Sequence, residues 1–270
     1  MAEKNFNLIQ LYAEQHAIEV ANFVINLSVP IDHADVRRFD EQQSRIKEQF
    51  PAISSPEVFE IAIGNHLPPP SLPQPVPVKY LNYFGNDGKP QWSGSFGDNR
   101  IIVSCRKYTK WEEVWPQGKQ KLEILLECID SYKQIHSVEY SVTDTFRAKK
   151  SNQILIPPKI FKENTFIASH ILELMDPRWD FSQGWFDNLE DPDQVLVRLD
   201  GRSWIENEWV LASINNLHSH RFSQLDVRDL LSGEGQSKYE NIFSVFHDRN
   251  KDLLKDLLVD GLLLKMGLKD

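Results

Sequence analysis

Alternation of apolar and polar residues predicts strands in the first half of the chain. Between Ala17 and Val29 every second residue from Ala17 onward is apolar apart from Glu19, and Pro30 ends the run. Residues 138–142 alternate in the same way. A period of two is typical of a strand with one buried face. We therefore expect a strand in each of these two segments.

The same alternation recurs at residues 78–106 and 194–214, where turn-forming residues interrupt it. Gly85-Asn-Asp-Gly-Lys89 separates two apolar runs in the first region, and Gly201-Arg-Ser203 allows a turn in the second. Short strands joined by such turns indicate antiparallel meanders. Residues 165–175 also have a strand-like pattern.

Helical spacing of apolar residues predicts three main helices. The first extends from Asp32 to Phe50 and stops before Pro51, and the second begins near Trp111. Pro116 lies inside the second pattern, which predicts either a kink or a restart of the helix. The third is a long C-terminal helix with an apolar stripe formed by Ile242, Phe246, Leu253, Leu257 and Leu258.

This order of elements predicts an α+β protein built from antiparallel sheets backed by helices. We expect two similar halves, residues 1–150 and 151–270, joined by a connector at residues 149–158. The chain has no clear internal sequence repeat, so this division depends on the pattern of elements alone. The segment from Gly64 to Val78, with six prolines, is expected to be a stiff connector, and a docking segment is the less common alternative.

Composition narrows the classes of partner. The chain carries a net charge of −9, so its surface repels phosphate backbones and anionic membranes, and nucleic acid is not expected as a partner. No run of residues approaches the ~20 apolar residues that a membrane span needs, and the N-terminus does not resemble a signal peptide. We expect a cytoplasmic protein in which Cys105 and Cys128 are buried free thiols.

Three segments suggest a family. Asp98-Asn-Arg-Ile-Ile102 precedes Tyr108-Thr-Lys-Trp-Glu112, and Val138-Glu-Tyr-Ser-Val142 follows them. Together with the closing Phe246-His-Asp248 and its apolar helix, this layout resembles a sporadically distributed bacterial family of uncharacterised proteins of about this length. In the third segment the family has Leu-Arg-Tyr-Ile-Asn, so Glu139 and Val142 depart from its pattern. The resemblance implies a bacterial cytoplasmic setting and a defence-related gene neighbourhood, and it carries over no catalytic residue.

Leu217-His-Ser-His220 is the most metal-like feature of the sequence. Histidines two apart on a strand point to the same side, so His218 and His220 could share a cation, with Asp226 or His247 as a third ligand. The alternative is a polar strand end that leads into a loop. Because the pair is unspecific, we expect no cofactor. A metal-dependent hydrolase or nuclease is the rival function that this pair would support.

Residues 176–193 are predicted to be a loop in which aromatic and acidic residues alternate. Trp179, Trp185 and Phe186 are unfavourable to expose, and carboxylates such as Asp187 would attract a basic partner. Aromatic anchors inside a charged rim are typical of a protein interface. The alternative is that these aromatic side chains fold back onto the core.

The function that these patterns favour is non-catalytic. We expect an intracellular protein-binding or accessory protein whose partner is another, basic protein or a second copy of this chain. The resemblance would place it in a bacterial defence or toxin–antitoxin module. A small-ligand-binding protein is the third possibility, and a cavity between sheet and helix with a few converging polar groups would support it.

Overall fold

The computed structural model describes residues 6–13, 16–55, 76–163, 165–188 and 194–269. Within these ranges the chain forms one antiparallel sheet of ten strands with eight α-helices. The strands are β1 (Gln10–Leu11), β2 (Ile18–Leu27), β3 (Ala52–Ser54), β4 (Lys79–Phe84), β5 (Pro90–Gly97), β6 (Arg100–Cys105), β7 (Ile135–Lys149), β8 (Asp180–Asn188), β9 (Gln194–Glu206) and β10 (Trp209–Arg221). Their order across the sheet is β3-β4-β5-β6-β2-β7-β10-β9-β8, and β1 also pairs with β7.

Most of the helices come between strands in the sequence, and the last three follow β10. They are α1 (His33–Glu41), α2 (Gln43–Gln49), α3 (Trp111–Leu126), α4 (Pro157–Ile160), α5 (Ser169–Leu172), α6 (Val227–Leu231), α7 (Gly233–Leu257) and α8 (Asp260–Lys265). A capping box starts α1, because the Asp32 side chain accepts from the backbone of Asp35, whose carboxylate accepts from the Asp32 backbone. Among the described helices, none combines the length and the apolar character that a membrane crossing requires.

Strand β7 is the centre of the sheet, paired with β2 on one side and β10 on the other. Its even-numbered side chains from Val138 to Ala148 are all buried. Helices α3 and α7 contribute buried apolar residues to the same core. At its middle, the ring of Phe23 on β2 lies 5.4 Å from those of Tyr140 and Trp115 and 5.8 Å from that of Phe243.

A bulge in β2 sets which residues reach this core. Ile18 pairs with Asp144, whereas Val20 pairs with Thr143, so Glu19 is an extra residue between them. The Glu19 carboxylate accepts a hydrogen bond of 2.7 Å from Thr145. Strict alternation would place Glu19 on the side of Ala21. Because the bulge shifts the alternation by one residue, the Glu19 carboxylate lies on the opposite face of the sheet.

That opposite face carries a polar ladder rather than a second apolar layer. Ser104 Oγ donates to Asn22 Oδ1 at 2.7 Å, and Asn22 Nδ2 donates to Ser141 Oγ at 3.0 Å. Further along, Thr143 Oγ1 donates to Asn215 Oδ1 at 3.1 Å. Cross-strand hydrogen bonds of this kind satisfy the side chains between neighbouring strands.

The prediction of an α+β protein with antiparallel strands and helices packed on them is confirmed. Residues 1–150 and 151–270 contribute to one sheet, because β7 and β10 pair along thirteen residues. The first meander appears as β4–β6. The second comprises β8–β10, but its predicted turn is wrong, because β9 continues through residues 201–203 and the chain turns at residues 207 and 208. Cys105 and Cys128 are buried free thiols, as expected.

Two local predictions need comment. Residues 165–175 do not form a strand but contain α5, and the helix at Trp111 continues through Pro116 without a restart. Most of the proline-rich segment, residues 64–75, lies outside the described residues.

Candidate functional site

A cavity of about 870 Å³ lies on the helix-covered side of the sheet. Its walls come from residues 13 and 16–18, residues 107–113 at the start of α3, one residue of β7, one side of α7, and residues 266–268 after α8. Segments from both ends of the chain therefore meet at this point. Its volume lies within the range of small-molecule sites, which is about 300–1,000 Å³.

Asp144 is the residue that β7 contributes to the cavity. Alternation along the strand puts it between Val142 and Phe146 on the apolar face, where only 1% of it is exposed. Neither carboxyl oxygen has a hydrogen-bond partner within the described part of the chain. Burial raises the pKa of Asp144 from 3.8 to about 7. Buried polar groups are nearly always paired, so an unpaired carboxyl that faces a cavity indicates a site.

Two tyrosines lie near this carboxyl. Tyr108 precedes α3 and lines the cavity, and Tyr140 lies on β7, on the same face as Asp144. Burial raises the pKa of both phenols above their usual range, and the neighbouring acidic groups raise it further. Both therefore remain neutral phenols at physiological pH, and Asp144 is the group of this cluster that titrates near pH 7.

A stack of aromatic rings joins the two helices at the wall of the cavity. The His247 ring on α7 lies 4.2 Å from the Trp111 ring on α3, with 7° between the planes, and Trp115 is parallel to Trp111 at 5.4 Å. Burial lowers the pKa of His247 to about 4. The imidazole is thus neutral at pH 7, and neither ring nitrogen has a hydrogen-bond partner among the described residues.

Charged side chains line the cavity around these inner groups. Lys110 forms an ion pair with Glu113 at 3.1 Å. Within the described ranges, neither Lys107 nor Lys251 has a carboxylate within 4.0 Å. In the described part of the chain, the cavity thus combines one inner carboxyl and the exposed Glu112 with two lysines that have no carboxylate within 4.0 Å.

The predicted metal ligands lie elsewhere. His218 and His220 do point to the same side of β10, as their spacing predicts, but both are core residues with 2% and 1% exposure. The His218 ring stacks on Phe246 at 5.6 Å, and the His220 ring meets Phe222 edge-on at 4.6 Å. Over the residues that the structure describes, no group of three metal-binding side chains is present, so neither suggested third ligand completes the pair.

The predicted loop at residues 176–193 needs correction, because residues 180–188 form strand β8. Trp179 is buried at 3% exposure, and its indole N–H donates to the Leu155 carbonyl at 3.2 Å. Trp185 packs beside Phe166, with ring centroids 5.4 Å apart. The indoles of Trp179 and Trp185 therefore fold back onto the protein, as the alternative interpretation of this segment predicts.

Two of the predicted partner-binding residues remain at the surface to different degrees. Phe186 is 67% exposed. Asp187 is half-buried, and one of its carboxylate oxygens lies 3.5 Å from the guanidinium of Arg249.

The sequence suggests a cavity between sheet and helix only as support for the third possible function, and no residue is assigned to it. Asp144 is not among the candidate residues. The available signal was an aspartate in phase with Val138, Tyr140 and Val142, where an apolar side chain is expected.

Comparison with known proteins gives no further guide to this site. No protein-family model, no curated protein and no solved structure matches the chain.

Proposed function

We propose that this protein binds a small molecule in the cavity at Asp144. The observation that carries the proposal is the Asp144 carboxyl, which is buried, has no hydrogen-bond partner among the described residues and faces the cavity. Leaving such a group unpaired costs about 1–3 kcal/mol of stability or more. A ligand that supplies the missing hydrogen bonds offsets that cost.

The surroundings support the same proposal. Tyr108, Trp111 and His247 provide flat apolar surfaces, and Asn250, whose Oδ1 accepts from Asn216, also lines the cavity. Small-molecule sites typically combine aromatic walls with a few converging polar groups. The family resemblance is compatible with such a role and names no ligand.

The test is a screen that reports on this cavity alone. The protein is labelled with 5-fluorotryptophan, and the ¹⁹F signals of Trp111 and Trp209 are assigned by the variants W111F and W209F. Trp111 lines the cavity, whereas Trp209 is on β10 with its side chain on the opposite face of the sheet. We expect some members of a library of small polar metabolites to shift the Trp111 signal and leave that of Trp209 unchanged.

The control variant is A17F, which puts a large side chain into the wall of the cavity at a buried position. A true cavity ligand loses its effect on Trp111 in this variant. The proposal is wrong if no library member shifts Trp111, or if every shift persists in a folded A17F protein.

A second candidate function is protein binding at β8. This strand ends the strand order of the described sheet, so one of its edges has no strand partner there. Phe186 and Met175 are 67% and 71% exposed, and Asp180 and Asp187 add negative charge nearby. The partner that fits is an extended, basic segment of another protein added to the edge. The two buried thiols are compatible with a cytoplasmic setting.

A photo-crosslinking amino acid at position 186 tests this second candidate. Phe84 on β4, which is 49% exposed, gives a matched control position. We expect a crosslinked partner in cell extract from position 186 only, and its loss when Asp180 and Asp187 are replaced by lysine. Equal crosslinking from both positions would indicate non-specific contact.

A further inference from the structure

The missing partner of Asp144 is a hydrogen-bond donor. Both of its oxygens lack a donor in the described part of the chain, and no Lys or Arg side chain there lies within 4.0 Å of the carboxyl. An ammonium group offers three N–H donors and a positive charge, which is the match for an ionised carboxylate. Its methylene groups would lie against the rings of Tyr108 and Trp111, which line the same cavity.

Besides Asp144, three lysines and two glutamates line the same cavity. Lys107 and Lys251 have no carboxylate within 4.0 Å in the ranges described, unlike Lys110, which Glu113 neutralises. Lys107 is exposed and Lys251 is half-buried, so both can reach a group that enters from solvent. Among the described residues, two lysines without a carboxylate neighbour stand against one glutamate without an ion-pair partner, Glu112, and this excess of positive charge favours an anion there. Lys107 and Lys251 outnumber the exposed Glu112, so the solvent-facing side carries a net positive charge, opposite to that of Asp144 at the buried end.

From this layout, and resting on the proposed small-molecule function, we propose that the ligand is a zwitterion. Its ammonium group pairs with Asp144 and its carboxylate lies between Lys107 and Lys251, so it belongs to the class of amino acids and related aminocarboxylates. An ordinary cation would be repelled by the lysines, and an ordinary anion would meet the Asp144 carboxylate. A molecule that carries both charges, with its ammonium group towards Asp144 and its carboxylate towards the lysines, avoids both repulsions.

Matched probes test both ends of the ligand. We would use the ω-amino acids from 3-aminopropanoate to 8-aminooctanoate, together with the alkylamine, the alkanoate and the alcohol of each length. Binding is measured by calorimetry and by the Trp111 ¹⁹F signal. We expect at least one ω-amino acid to bind about tenfold or more tightly than the alkylamine, alkanoate and alcohol of its own length.

Three variants assign the two charges. D144N keeps the shape of the side chain and removes its charge, so we expect a loss of about tenfold or more for the amino acid and little change for the alcohol. K251Q and K107Q should each cost about two- to fivefold for the amino acid, whereas the alkylamine should bind as well or slightly better because a repelling charge is removed. Asp256 lies on the same helix as Lys251, at an exposed position outside the cavity, so D256N serves as the control and should bind like the wild type.

The outcomes separate this inference from the proposed function. If metabolites shift Trp111 but no ω-amino acid binds better than its alkylamine, alkanoate and alcohol, the cavity binds ligands and the zwitterion proposal is wrong. If an alkylamine matches the amino acid and K107Q and K251Q have no effect, the carboxylate half is overturned. If nothing shifts Trp111, both proposals fall together.

Discussion

The imidazole of His247 lies flat on the indole of Trp111, with ring centroids 4.2 Å apart and planes inclined by 7°. This contact links α7 to the start of α3 across the cavity wall. Replacing His247 by Ala should lower the free energy of unfolding by about 2 kcal/mol, since it removes a buried ring and its stacking. His247→Phe should stay within about 1 kcal/mol of the wild type. Urea unfolding measures the free energy of unfolding of both variants. Equal losses of stability in the two variants would show that ring stacking does not account for the contribution of His247.

Two buried histidines should also make the protein less stable in mild acid. Burial lowers the pKa of His247 and of His218 from 6.5 to about 4. Between these pH values the unfolded chain takes up protons that the folded protein excludes, so stability decreases as pH falls from about 6.5 to about 4. The variant H218F/H247F should lose this decrease, which unfolding curves at several pH values would reveal.

Asp144 should have the opposite pH dependence. The folded protein keeps this carboxyl protonated up to a pKa of about 7, compared with 3.8 for an exposed aspartate. As pH rises from about 4 to about 7, the unfolded chain loses its proton first, so stability decreases. Asp144→Asn removes the effect and should therefore gain stability relative to the wild type between pH 5 and pH 8. If the difference in stability between the variant and the wild type does not change with pH, Asp144 is not the titrating group.

Lys121 offers a prediction away from the cavity. This residue is 5% exposed, and its ammonium group donates to Gln49 at 3.0 Å and lies 5.2 Å from the centre of the Trp92 ring. Burial lowers its pKa from 10.5 to about 8. Lys121→Met keeps the aliphatic packing and removes the buried charge, so at pH 7 it should be as stable as the wild type or more stable by about 1 kcal/mol.

The same variant should also abolish the gain in stability that the wild type shows between pH 8 and pH 10.5. A loss of several kcal/mol at pH 7 would mean instead that the aromatic rings hold the cation favourably.

Position 118 requires a glycine because α3 packs closely against the sheet. A methyl group at this position would lie 2.9 Å from Cε2 of Phe23, whose ring is fully buried. Gly118→Ala should therefore destabilise the protein by about 1–3 kcal/mol through overpacking, even though alanine favours a helix by about 1 kcal/mol. Thermal unfolding measures this. The double variant G118A/F23L, which makes room for the methyl group, should recover part of the loss.

The sequence predicts those parts of the fold that depend on residues close together along the chain, and it fails for contacts between distant segments. Period-two alternation around Tyr140 and helical spacing after Trp111 are local signals, and both elements appear where they were expected. Whether Trp179 is buried depends on contacts with Leu155 and Phe161, which lie in a separate segment. No local pattern reports such a contact.

The site was harder to predict for the same reason. Asp144 is anomalous within its strand, and that anomaly can be seen in the sequence. What makes it a site is the cavity above it, which needs His247 on α7 and residues 266–268 to arrive from more than a hundred residues away. The bulge at Glu19 is equally hidden, because alternation alone places that carboxylate on the wrong face.

The central position of β7 has a consequence for synthesis. Its partner β2 precedes it by roughly a hundred residues, and β10 follows only after residue 208. Contacts so distant along the chain make folding slow. While the ribosome is still adding residues 150–221, one edge of the longest strand is without its final neighbour, and nascent chains in this state are prone to aggregate. We therefore expect that slowing translation just after Lys149 lowers the yield of folded protein.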